Sequence, residues 1–290
     1  MPGVFDMSKN KTIAIAHADQ VGGAMDILEN WAAELQKYAE SLGYNVIDIS
    51  GSNLTYERTT SILQETQPAV LFYMGFGDKT QLIGNDKRPV LSNLNVAGTA
   101  VIAYASHAAA QLGPEIIKAG SPCFVGFSDQ LIVVSDKIAP LVQATENIFK
   151  ESLLPLAFHI LDGWTVGAAV YAARRDMLTI VMQNKERKII SIPIFANRKS
   201  LTYFGDPNWK LNVPKALEES EEYRNRCSIM ETDIKSNLEE MIKYYMEKDC
   251  ISREEAIKEV RRMLMLGYVS TLIEKDRPEA LKAIDEVGGL

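Results

Sequence analysis

Cysteine is scarce in this sequence, with only Cys123, Cys227 and Cys250 among 290 residues. An odd number, widely spaced, with no CxxC pair and no Cys/His cluster, indicates neither a disulfide framework nor a zinc site, and no metal or other cofactor is implied. Basic charge is also short. Thirty-one Lys and Arg against 38 Asp and Glu leave a formal net charge of −7, the wrong sign for a chain that grips nucleic acid mainly through phosphates. No stretch reaches the roughly 18 uninterrupted apolar residues of a membrane span, and the segment from Met1 to Lys11 lacks the apolar run of a signal peptide. The expectation is a cytoplasmic protein in a reducing compartment, with neither a membrane nor a nucleic-acid partner. There is no internal repeat and no low-complexity segment. Neither GxGxxG nor GxxxxGK[ST] occurs, so the backbone cradle those motifs offer a nucleotide phosphate is not encoded.

What is present reads as an α/β domain with a helical appendage. Hydrophobic residues make up 47% and charged residues 24% of the chain, ordinary values for a globular protein. Short apolar runs alternate with longer helical patterns through the first two-thirds, the sign of a parallel sheet covered on both faces. The spacing predicts strands at Thr12–His17, Val46–Ser50, Ala69–Met74, Ala100–Ala105 and Cys123–Phe127. Helices are predicted at Ala24–Leu42, where Ile27, Leu28, Trp31, Leu35, Tyr38 and Leu42 share a face and Gly43 ends the run, and at Thr55–Thr66 and Ala108–Lys118. Lys137–Gly163 reads as a long helix kinked or broken at Pro155, and Thr165–Arg175 as another helix. Leu178–Gln183 and Ile189–Phe195, joined by a charged turn, read as a strand hairpin, and Ser200–Phe204 leads into Gly205-Asp206-Pro207. After Pro214 the chain turns rich in Glu and Lys. Ile234, Leu238, Met241, Ile242 and Tyr245 form one apolar stripe, Ser252 with Glu255 makes a capping box, and Pro278 suits the first turn of a last helix.

In an open parallel sheet, ligands gather at the carboxyl ends of the strands. Two loops there stand out, Gly75-Phe76-Gly77-Asp78 after the third strand and Ala105-Ser106-His107-Ala108 after the fourth, the latter followed by Leu112-Gly113. Beyond them come Ala119-Gly120, the apolar run Cys123-Phe124-Val125-Gly126-Phe127, and Leu201-Thr202-Tyr203-Phe204-Gly205-Asp206-Pro207. This order of landmarks resembles the caspase-like clan of cysteine peptidases, in particular its gingipain-like and CHAT-type branch. That branch carries Gly-His-Gly after one strand, a catalytic Cys after the next, and a Gly-Asp-Pro element near the domain end. The resemblance implies a caspase-like three-layer fold over residues 11–213, after an extension at 1–10 and before a helical region at 214–290.

The departures bear on function. Where the resemblance implies the catalytic imidazole stands Phe76, which does no proton chemistry, and where it implies the thiol stands Ser106, a weak nucleophile without a base. A peptidase fold without its dyad points to a pseudo-peptidase kept as a protein-binding or scaffolding module. A second reading keeps an enzyme, either a hydrolase in which His107 serves Ser106 or a peptidase with a displaced Cys/His pair; adjacent residues at a strand-to-helix junction ordinarily point apart, which weighs against the first. A third is a small-molecule or nucleotide sensor at the sheet rim, with helix N-terminal amides offered to an anion. A residual cleft would take in Gly75, Gly77 and Asp78, with His17 and Ser128 and Asp129 at its edge. For His17 and neighbouring Asp19 a structural role competes, and for Ser128 and Asp129 a helix N-cap. Cys123 and His159 read as core residues, and Cys227 and Cys250 as structural.

Overall fold

The computed structural model describes residues 12–18, 24–91, 96–135, 145–214, 239, 242–243, 246 and 252–266. The strands of its main sheet are β1 (Thr12–His17), β2 (Asn45–Ile49), β3 (Val70–Met74), β7 (Ala100–Tyr104), β8 (Cys123–Phe127) and β9 (Leu201–Gly205). They lie in the order β2-β1-β3-β7-β8-β9, all parallel except β9, which runs antiparallel to β8. Strands buried on both faces need apolar residues at every position rather than at alternate ones, and β3, β7 and β8 are buried throughout.

Period-two alternation sorts these side chains into two cores. Ile13, Ile15, Val70, Phe72, Met74, Ile102 and Tyr104 point to one face, where α1 (Ala24–Ser41) lays down Ile27, Leu28, Trp31 and Leu35. The same face is covered by α4 (Thr145–Leu153), α5 (Pro155–Leu161), α6 (Val166–Gln183) and α7 (Lys188–Ser200). Ala14, Ala16, Leu71, Tyr73, Val101 and Ala103 point to the other, under α2 (Tyr56–Thr66) and α3 (Leu112–Lys118). The result is a mixed α/β, three-layer arrangement with a mostly parallel six-stranded sheet. The helix after β1 and the helix after β2 lie on opposite faces, so the chain reverses its winding where β1 leaves β2 for β3, the place where such sheets open a crevice.

Several elements differ from the sequence expectation. The predicted hairpin over Leu178–Gln183 and Ile189–Phe195 is instead the end of α6 and the body of α7, joined through Asn184–Arg187. The Ile-rich run suggests strand, but its buried residues Ile190, Ile194 and Asn197 fall four and three apart, so a helix covers the core better than a strand. The long helix expected to Gly163 is broken cleanly, with Pro155 as the first residue of α5, where its missing N–H costs nothing; residues 137–144 lie outside the described residues. The helix beginning at Thr165 extends to Gln183, capped by the Thr165 hydroxyl accepting from the Ala168 N–H at 3.3 Å. Only Leu112–Lys118 of the expected Ala108–Lys118 helix forms, because His107 takes a left-handed φ of 60° and the chain turns through the next residues. A second sheet has no counterpart in the sequence expectation: β4 (Phe76–Gly77), β5 (Leu82–Ile83) and β6 (Pro89–Leu91) form a small antiparallel sheet within the stretch between β3 and β7.

The Gly-Asp-Pro element is a turn at the end of β9. Gly205 sits at φ 91°, and Asp206 accepts the Asn208 N–H on its carboxylate at 2.9 Å. By contacts the chain divides into two units, Met1–Pro214 and Lys215–Leu290. In the second, the helix Arg253–Leu266 opens on the expected capping box: the Ser252 N–H donates to the Glu255 carboxylate at 2.9 Å, and the Glu255 N–H donates back to the Ser252 hydroxyl at 3.3 Å. Of the apolar stripe, Ile242 is described and buried; Ile234, Leu238, Met241, Tyr245 and Pro278 lie outside the described residues.

Candidate functional site

The Gly75–Asp78 and Ala105–Ala108 loops leave adjacent parallel strands and stay together beyond them. The Gly75 N–H donates to the Tyr104 carbonyl at 3.2 Å, continuing the β3–β7 ladder. Gly77 packs so closely on the second loop that a Cβ there would lie 2.9 Å from the Cβ of Ala105. Below them the buried Tyr73 hydroxyl lies 2.7 Å from the Phe76 carbonyl oxygen and 2.6 Å from that of Ile83, giving its one proton to either, and so pins the start of β4 to β5. Burial pushes the Tyr73 phenol well above its ordinary pKa, so it remains a donor.

Over the carboxyl ends of β3, β7 and β8 these loops border a partly open cavity of about 120 Å³, lined by Gly75, Phe76, Gly77 and Ser106 together with Met25 and Leu28 of α1 and Leu131 and Val133 of the loop after β8. The four sequence candidates thus meet at one place. Three of the other four contributors have a sequence signal too: Leu28 lies on the predicted apolar face of α1, and Leu131 and Val133 belong to the apolar run Leu131-Ile132-Val133-Val134 that follows Asp129-Gln130. Phe76 is 38% exposed, unusual for an aromatic in a chain whose other Phe side chains at strand positions are mostly buried. The Ser106 hydroxyl accepts a hydrogen bond from the Leu131 N–H at 3.1 Å. Among the described residues the lining holds neither an imidazole nor a thiol.

The remaining candidates stand outside the cavity lining. Asp78 turns into its own hairpin, where it accepts from the Thr80 N–H at 2.7 Å, the Thr80 hydroxyl at 2.9 Å, the Gln81 N–H at 3.0 Å and the Gln81 side-chain amide at 2.9 Å. Desolvation works to raise its pKa, but these bonds outweigh it and hold the carboxyl below its ordinary value. His17, at the end of β1, places Nε2 3.2 Å from the Asp48 carboxylate, while its Nδ1 is buried without a hydrogen-bond partner among the described residues; Asp19 lies outside them. Ser128 is bound to the end of α7, its N–H donating to the Ser200 carbonyl at 2.8 Å. It and Asp129 lead into residues 130–135, which form no helix, so neither is an N-cap.

His107 faces Asp129, Nδ1 to carboxylate 3.6 Å, and its N–H donates to the Asp129 carbonyl at 2.9 Å. No hydrogen bond joins it to Ser106. The amides expected to greet an anion at the start of α3 are also taken, since the N–H groups of Gln111 and Leu112 donate to the Lys79 carbonyl at 3.1 and 2.7 Å. Cys123 lies in the core, where burial, with a smaller contribution from the Asp206 charge, drives its thiol pKa far upward and leaves it un-ionised. His159 is stacked on Trp164 with ring centroids 4.0 Å apart, away from the cavity lining. Among the described residues no group of three or more His, Cys, Asp or Glu is placed to hold a metal ion, and no helix is long and apolar enough to cross a membrane.

No protein-family model and no curated protein matches the sequence. Among solved structures, the fold is similar to the crystal structure of the Arg-specific cysteine proteinase gingipain R, with a TM-score of 0.49 and 14% identity over 70% of this chain and 49% of that one. The complex of the pro- and mature domains of RgpB from Porphyromonas gingivalis matches with a TM-score of 0.49 and 12% identity, over 70% and 49% of the two chains. The chain spans about half the length of these proteins. Such likenesses assign it no activity.

Proposed function

We propose that the protein is a caspase-like peptidase relative that has lost catalysis and binds a protein through the cavity over β3, β7 and β8. The observation that carries this reading is the lining of the cavity. At the two strand ends where the sequence landmarks call for an imidazole and a thiolate, it has Phe76 and Ser106, with Met25, Leu28, Leu131 and Val133 completing the wall. Among the described residues no base is hydrogen-bonded to Ser106 to take its proton, and its hydroxyl instead accepts a backbone N–H, which does nothing to activate it as a nucleophile. A dry cavity of about 150 Å³ holds a benzene-sized guest, so this one suits a single apolar side chain. Covering the exposed part of Phe76 would contribute about 2 kcal/mol to such binding. An intracellular, reducing setting fits the unpaired buried Cys123.

The hydrolase reading has one observation in its favour, the His107–Asp129 pair, which resembles the orienting half of a triad. That pair is not connected to Ser106. An active-site-directed fluorophosphonate separates the two readings: the proposal expects no labelling of Ser106, whereas labelling that disappears in Ser106→Ala and in His107→Ala establishes the hydrolase.

A further inference from the structure

The outward face of α7 carries a feature unrelated to the cavity. Ile190, Ile194 and Asn197 bury one side of this helix. On the opposite side Lys188, Ile192, Phe195 and Lys199, spaced four, three and four residues apart, form a single exposed row, with Ile189 beside it and Met182 at the end of α6. Ile192 is 61% exposed and Phe195 43%, and together with Met182 and Ile189 they are four of the five large hydrophobic side chains that stand out in solvent among the described residues; Phe76 is the fifth. Scattered apolar residues need no explanation, but a row of them on one helix face marks a contact surface.

The charges around the row are mostly positive. Lys185, Arg187, Lys188 and Lys199 are exposed, against the single acid Glu186, in a chain whose net charge is −7. Lys185, Lys188 and Lys199 form no ion pair among the described residues. The two row-end lysines are eleven residues apart, about 16 Å along the axis at ~1.5 Å per residue, or three turns of a second helix.

We propose that this face docks an amphipathic helix of another protein, one whose apolar stripe is flanked by Asp or Glu. Its apolar residues would cover Ile189, Ile192 and Phe195, and its acids would meet Lys188 and Lys199 at the ends, in the way flanking charges set the choice and orientation of paired helices. A narrow row fits a helix better than a bilayer does, and a chain of net charge −7 is repelled by an anionic membrane. Two row-end lysines of like charge also disfavour a second copy of the same face. The assignment does not depend on the state of Ser106.

The test pans a displayed library of 18-residue helical peptides, randomised outside the helix-forming positions, on the full chain, with counter-selection on Ile192→Ser/Phe195→Ser. Expected is enrichment of acidic peptides with apolar residues at helical spacing, whose Kd rises at least tenfold on the double variant and on Lys188→Glu/Lys199→Glu while both variants keep the parent Tm. The charge-reversal pair removes no packing, so it carries the test if the serine variant unfolds. Enrichment of neutral or basic peptides, or none beyond the double variant, overturns the assignment. So does sedimentation with phosphatidylglycerol vesicles, or self-association, that the double variant alone abolishes. Because none of these readouts involves the cavity, their failure leaves the reading of Ser106 standing, and labelling of Ser106 leaves this one standing.

Discussion

The Ser106 hydroxyl accepts a hydrogen bond from the backbone N–H of Leu131 at 3.1 Å. One contact thereby joins the strand-end loop where a nucleophile would sit to the apolar wall of the cavity, and it gives Ser106 a positioning part in the architecture. Replacing Ser106 with Ala leaves the half-buried Leu131 N–H unpaired, a cost of about 1 kcal/mol in urea unfolding. Ser106→Cys keeps a weak acceptor and costs less.

The second prediction concerns Asn197, buried in α7, whose side chain accepts from the Ile132 N–H at 2.9 Å and donates to the Ile132 carbonyl at 2.7 Å. This two-bond clamp fixes the stretch between Leu131 and Val133, the two cavity residues on either side of Ile132. Asn197→Ala orphans both backbone groups and destabilises the fold by about 2–3 kcal/mol. Hydrogen exchange at 131–133 should accelerate more than at β8, where the ladder is untouched.

The third prediction rests on the tight approach of the two site loops. A methyl group at Gly77 would meet Ala105 Cβ at 2.9 Å, closer than such atoms pack. Gly77→Ala therefore forces the loops apart at a cost of about 1–3 kcal/mol, and ligand binding at the cavity should weaken with it.

Acid sensitivity follows from His159. Burial, with help from the nearby Arg175 charge, lowers its pKa to about 4, below the ~6.5 of an unfolded histidine. The unfolded chain then binds this proton more readily than the folded one at intermediate pH, so stability is full above about pH 6.5 and falls as pH drops towards 4. The loss approaches ~3 kcal/mol at the lower end. His159→Phe, which retains a ring to stack on Trp164 and cannot take a proton, should flatten this dependence in unfolding measured between pH 4 and 7.

The parallel sheet was legible because burial on both faces leaves uninterrupted apolar runs: Cys123–Phe127 has the predicted limits, and Thr12–His17 likewise. Gly75, Phe76, Gly77 and Ser106 could be placed together since consecutive parallel strands deliver their following loops to one end. What local sequence could not convey was tertiary override. Ile189–Phe195 has strand composition, yet the core rewards its helical face; and Phe76-Gly77 looks like loop, yet pairs with Leu82–Ile83. Asp78 shows the same limit, as its carboxylate is bonded within the turn it sits in, a use that the Gly-Phe-Gly-Asp string does not distinguish from a place in a cleft.

The central claim is that this cavity binds and does not cleave. Its most direct measurement is incubation of the purified protein with a diverse peptide library, followed by mass spectrometry of new termini, alongside Ser106→Ala. The account predicts no new termini from either protein. Cleavage by the parent that vanishes in Ser106→Ala, or in a Cys or His variant, contradicts it.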